Sequence, residues 1–189
     1  MNEPTKKLVA ELQTYLAEQA EYLAPLPFTN LEEIKTPIEE VNVLIIATKS
    51  DDFIQEISST TPTHVGLIML QKLLLALHID LTNIAVHITN HPVAKEHLVY
   101  LTEEDLSAIT QVMNSAQPTW VLLLDESLGR LIIHHFIEHT VEMSALKMGD
   151  IYTIMGHKCI FTHSMSLLLT QSHHKRATWE HVQPLLNDL

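Results

Sequence analysis

The sequence predicts an α/β fold: a three-layer sandwich around a central, mainly parallel four-stranded sheet, preceded by an N-terminal helical extension. Three observations carry this. Short β-branched runs alternate with apolar segments of helical length, the order that right-handed crossovers require. The runs are nearly continuous in apolar residues, as strands covered on both faces are. Finally, 189 residues with 46% apolar, 18% charged and 5% aromatic content can bury a sizeable core, which excludes a disordered, collagen-like or disulfide-stapled chain. Residues 1–40 are expected to form an amphipathic helix and linker, and 41–189 the α/β domain.

Along residues 4–23, Leu8, Leu12, Tyr15, Leu16 and Leu23 recur at three- and four-residue spacing beside Glu11, Glu18 and Glu21, one apolar stripe on a helix. Pro25 and Pro27 stop it and open a linker rich in glutamate. Val41–Ala47 is the first strand, and Thr48–Thr61 is polar and turn-like. Val65–His78 has the leucine content of a buried helix, Asp80–Asn83 turns the chain, and Ile84–Thr89 is the second strand. Thr102 with Glu103, Glu104 and Asp105 behind it starts a helix running to about Met113, the hydroxyl capping and the acids favouring the positive helix end. Trp120–Leu124 is the third strand, and Asp125 caps a helix from Glu126 to about His135. Residues 151–162 read as a hairpin or two short strands with a turn at Met155–Lys158, and His173 to about Leu186 as the last helix.

Charge narrows the function. Eleven Lys and Arg against 23 Asp and Glu give −12, so DNA is expected only as a secondary ligand, since neutralising many phosphates needs surplus cations. Residues 1–60 hold four of those cations and eleven of the acids, which concentrates acidity at the presumed partner-binding end. Thirteen histidines soften the acidity below neutral pH. One cysteine, Cys159, excludes an internal disulfide, and by itself it holds neither a cluster nor a structural zinc. No run reaches the ~20 apolar residues of a membrane span, and the N-terminus lacks a signal-peptide core. A cytoplasmic chain with no membrane association and no small-molecule substrate is expected.

Several motifs are tempting. His135-Phe136-Ile137-Glu138-His139 spells H-x-x-E-H, the zinc-protease pattern of two imidazoles a turn apart with a carboxylate as base. It needs a third ligand, and nothing downstream supplies one at a fixed spacing. His134 and His135 are better placed to end a helix, where imidazolium meets the negative terminus. There is no G-x-x-x-x-G-K-[ST], G-x-G-x-x-G or G-x-S-x-G. No metal and no cofactor are expected, and Cys159 is expected to be a buried structural thiol. His173-His174-Lys175-Arg176 is the one concentrated cationic cluster, a solvated helix start or, with Ser164, an anion or DNA contact.

In a parallel α/β sheet, ligands bind beyond the carboxyl ends of the strands. Asp51 and Asp52 follow the first strand, Asn90 the second, and His163-Ser164 the last. A carboxylate can position water, a carboxamide can read a base edge, and an imidazole can stabilise a departing anion. Loop capping is the alternative for each residue.

Over most of residues 41–187 the chain resembles the uracil-DNA glycosylase superfamily. The strand-helix-strand order ending in Ile88-Thr89-Asn90, then Trp120–Leu124 with Asp125, and the closing Phe161-Thr162-His163-Ser164-Met165-Ser166-Leu167 through Lys175-Arg176-Ala177-Thr178-Trp179 are similar to the family's segments. The last resembles its H-P-S leucine loop and final helix. The resemblance implies Asp51 or Asp52 handling water, Asn90 reading the base and His163 stabilising the leaving anion. The family's glycine- and proline-containing turn after the first strand is replaced here by Ala47-Thr48-Lys49-Ser50-Asp51-Asp52. That turn is also lacking in the psi subunits of bacterial DNA polymerase III, which carry a degenerate form of this fold, a similar Ala-x-x-Trp helix and an N-terminal docking segment. The chain is similar to them on each count, but is longer between His91 and Pro118 and retains Asn90 and His163. The psi-like resemblance implies a non-catalytic accessory subunit of the replicative polymerase that links the clamp loader to a partner. Leu8, Leu12, Tyr15 and Leu16 would then face the partner in helix-in-groove fashion, and no residue would be catalytic. The alternative is a divergent base-excision enzyme of the glycosylase type.

Overall fold

A computed structural model describes residues 41–90, 93–95, 98–137 and 142–187. The helix expected over 4–23, the linker after it, and Glu138 and His139 lie outside the described residues.

The described chain is α/β, with a mostly parallel sheet. Strands β1 (Val43–Thr48), β2 (Ile84–Thr89), β5 (Trp120–Leu124) and β7 (His157–Thr162) run parallel in the order β2-β1-β5-β7. The expected count of four is corrected by β6 (Tyr152–Ile154), a fifth, antiparallel strand beside β7. A hairpin forms as expected, but its turn is Met155 (φ 50°) and Gly156 (φ 86°) alone: His157 and Lys158, expected in the turn, open β7 and pair with β6. A separate two-stranded ribbon, β3 (Val93–Lys95) with β4 (Leu98–Tyr100), fills part of the stretch between β2 and the next helix, where no strand is expected from sequence.

The helices are α1 (Val65–Ala76), α2 (Glu103–Ala116), α3 (Glu126–Phe136), α4 (Met165–Thr170) and α5 (His174–Val182). The expected turn at 48–61 instead contains a 3-10 helix, Lys49–Glu56. α5 ends one residue before the 3-10 segment Gln183–Asn187, where Pro184 lacks the amide an α-helix would need. α4 lies where the resemblance implies a loop.

Strand alternation sorts side chains into two buried clusters. Val43, Ile45 and Ala47 of β1 join Trp120, Leu122 and Leu124 of β5 and Ile160 of β7, packed by Leu67, Leu70 and Leu74 of α1 and by Met165 and Leu168 of α4. Leu44 and Ile46 join Val121, Leu123, Cys159 and Phe161, packed by Ile109 and Met113 of α2 and Leu128, Ile132 and Ile133 of α3. Each such aliphatic side chain removed from water contributes roughly 1.5–3 kcal/mol to holding the sheet centre. β1 has every residue buried on both faces, as its unbroken VLIIAT run requires.

Candidate site at the carboxyl ends of the strands

The last paired residues of β2, β1, β5 and β7 are Thr89, Thr48, Leu124 and Thr162, with Thr48 opposite Thr89 and Leu124 opposite Ala47 and Thr162. The residues just beyond them bring Asp51, Asn90 and His163 to one edge of the sheet, as the spacing predicts. Each side chain there has a different partner.

Asp51 is fully buried in the 3-10 helix after β1, with φ −114° and ψ 25° breaking the helical run. Its carboxylate accepts from the Met165 and Ser166 amides, both at 2.8 Å, and from Ser166 Oγ. Ser164 Oγ accepts from the Leu167 amide at 3.2 Å, and the Leu168 amide donates to the Ser164 carbonyl. The four amides that open α4 are thus all satisfied, and the positive helix end is neutralised by a carboxylate from the same chain. Ser166 Oγ also donates to the Ser50 carbonyl at 2.7 Å. Asp52, one residue on, is exposed.

Asn90 Nδ2 donates to Asp105 Oδ1 at 2.8 Å. Thr89 Oγ1 donates to the same oxygen at 3.1 Å, and Thr102 Oγ1 to Oδ2 at 2.5 Å. The Asp105 amide returns a bond to Thr102 Oγ1 at 3.1 Å, which closes a reciprocal cap at the start of α2. Burial pushes the Asp105 carboxyl up, but the bonds from Thr102, Asn90 and Thr89 outweigh it and hold it below the usual carboxylate range. His87 on β2 lies within its field: burial lowers the imidazole and Asp105 pulls the other way. Sequence reading places Asp105 only as a first-turn acid; Thr102-Glu103-Glu104-Asp105 is nonetheless an [ST]-x-x-[DE] cap signature.

His163, 5% exposed, faces the last helix. Its ring centroid is 4.3 Å from that of His174 and 5.7 Å from that of His181, and His174 is 4.0 Å from His173. His181 Nδ1 and Thr162 Oγ1 share a hydrogen bond of 2.9 Å. His181 is the residue sequence reading missed. Its signal is the seven-residue step from His174, two helical turns that return to one face. Of the cationic cluster, Arg176 is exposed and pairs with Glu180 at 2.8 Å, an i,i+4 surface pair of small energetic weight. Lys175 is half-buried, and burial lowers its ammonium. The amides of His174 and Lys175 donate to the carbonyls of Gln171 and Ser172, so the preceding turn engages the start of α5.

Nearby, Asp125 Oδ1 caps α3 through the Leu128 amide at 2.9 Å. Arg130 donates to Glu126 and to the carbonyls of Met143 and Leu146, pinning the loop before β6. These residues border an open groove lined by Glu126, Arg130, Met143 and Ser144. His134 and His135 do fall in the last turn of α3. Cys159 is fully buried, and burial pushes its thiol up, which suits packing and not nucleophilic attack. Among the described residues, no group of three or more His, Cys, Asp or Glu side chains is arranged to hold a metal ion. Among them too, no helix is long and apolar enough to cross a membrane.

No protein-family model matches this sequence, and no curated protein matches it. The chemistry of the site therefore rests on its own geometry. That geometry offers one carboxylate capping a helix, one carboxamide held by a second carboxylate, and one imidazole packed among imidazoles.

Proposed function

We propose that this chain is a non-catalytic accessory subunit of a bacterial replicative DNA polymerase, psi-like in role, linking the clamp loader to a partner subunit. The observation that carries the non-catalytic half is the Asp51 carboxylate, fully buried and accepting three hydrogen bonds from the start of α4. A group that activates water must reach it, and this one is turned inward and saturated with donors. Asn90 gives one of its N–H donors to Asp105, which fixes its orientation on the same edge.

The adaptor half rests on the sequence. The acidic balance suits a protein partner over a phosphate backbone, and Leu8, Leu12, Tyr15 and Leu16 form the stripe that would dock in a groove. DNA is a secondary ligand in this account, and the location is cytoplasmic. Helices packed against both core clusters support the finer proposal of a three-layer, uracil-DNA-glycosylase-like arrangement.

Incubation of the full chain with uracil- and hypoxanthine-containing oligonucleotides, followed by alkaline strand cleavage, tests the non-catalytic half. No cleavage above a protein-free control is expected. Excision that disappears in Asn90→Ala or His163→Ala would overturn it in favour of a divergent base-excision enzyme.

A further inference from the structure

Four histidines gather where β7, α4 and α5 meet. His163 follows the last strand and is buried beside Ser164, the cap of α4. His174 and His181 project from one face of α5 onto His163, and exposed His173 lies tilted against His174. The rings therefore run from the protein interior to solvent. His181 is seated from two further sides: its Nδ1 shares a hydrogen bond with Thr162 Oγ1, and Gly149 lies against its ring, where an added Cβ would come within 2.8 Å of Cδ2. His174 Nε2 lies 3.2 Å from Gln171 Oε1 of the turn before α5.

The charges facing this group are unbalanced. The neighbours acting on His163 are His173, His174 and His181, with Glu126 of α3 as the acidic one; on His181 it is Glu180 of α5. Imidazolium rings 5.7 Å apart, as those of His163 and His181 would be, repel one another, and the acids facing them, Glu126 and Glu180, are half-buried and exposed.

We propose that the His163–His174–His181 cluster is an acid-operated latch on α5. With neutral rings, the packed cluster holds α5 against the carboxyl end of β7. Proton uptake by His163 and His181 charges two rings 5.7 Å apart within the cluster, and their repulsion frees α5 together with the His173 turn. Val182 and Leu185, which complete one core cluster, lose their seat in the same step.

The direction of the pH response follows from the site. Burial lowers His163, and the neighbouring histidines lower it further, against the pull of Glu126; burial likewise lowers His181 against Glu180. A histidine lowered in the folded state contributes stability that is complete above its unfolded value near 6.5 and is lost as pH falls through the folded value. The latch is therefore closed at pH 7.5 and opens as pH falls below the unfolded value near 6.5.

Hydrogen–deuterium exchange of the full chain at pH 7.5 and 5.5, with labelling times scaled for the intrinsic chemical rate, reads the latch directly. Peptides covering 162–183 are expected to lose tenfold or more protection at pH 5.5, while those covering β1 and β5 change little. His163→Phe, which keeps a ring that takes up no proton, is expected to remove most of that loss; should it fail to fold, half-buried His174→Gln carries the same comparison. Equal protection over 162–183 at the two pH values would overturn the latch, as would a variant that folds and keeps the full acid response.

Discussion

Asp51 Oδ2 lies 2.8 Å from the backbone nitrogen of Met165, 114 residues further along the chain. That contact ties the segment after the central strand β1 to the helix after β7. It also decides how the carboxyl edge is read, because a helix start that would otherwise attract an anion already has one. The carboxylate is an intramolecular ligand of α4.

Removing it should therefore cost stability. Asp51→Ala leaves the Met165 and Ser166 amides without their acceptor in a buried site. The expected loss is about 2–3 kcal/mol, the range for charged hydrogen bonds and strong caps combined. Asp51→Asn, which keeps one acceptor oxygen, should lose about half as much. Urea unfolding followed by circular dichroism measures both; unchanged midpoints would remove Asp51 from its structural role.

The Asp105 network predicts a cap effect and an acid effect. Thr102→Ala removes the hydroxyl that accepts from the Asp105 amide and donates to its carboxylate, at a cost of about 1 kcal/mol. Because the folded carboxyl is held low, its contribution is present above the unfolded value near 3.9 and is lost as pH falls through the folded value. Asp105→Asn should flatten the stability profile below about pH 4 relative to wild type. Equilibrium unfolding between pH 5 and 2.5 checks it.

Gly129 in α3 predicts a conflict between local preference and packing. Alanine is favoured over glycine in a helix interior by about 1 kcal/mol. A Cβ there, however, would overlap Cβ and Cγ of Phe161 on β7, atoms too near the strand backbone to swing away. Overpacking should win, with a net loss of about 2–3 kcal/mol for Gly129→Ala. A thermal melt that rises on substitution would contradict this packing.

Much of the fold was legible because its signals are local. The unbroken Val43–Ala47 run marks a doubly covered strand, and Thr102 and Asp125 announce their helices as caps. α4 was not legible: six residues rich in leucine resemble a loop, and two of its opening amides depend on an acceptor 114 and 115 residues away. The fifth strand was hidden for a related reason, since a hairpin can be read from Met155-Gly156 but its lateral pairing cannot. At the site, spacing placed Asp51, Asn90 and His163 on one edge correctly. It could not show that Asp51 turns inward, that Asn90 turns to Asp105, or that His163 turns to α5, because each partner is set by tertiary packing.

In the proposed role this chain holds a partner and does no chemistry on a base. Size-exclusion chromatography of the full chain co-expressed with cognate clamp-loader subunits tests it most directly. Co-elution in one complex is predicted, and it should be lost when Leu12 and Leu16 are changed to Asp. Elution of the unaltered chain apart from every clamp-loader subunit would contradict the account.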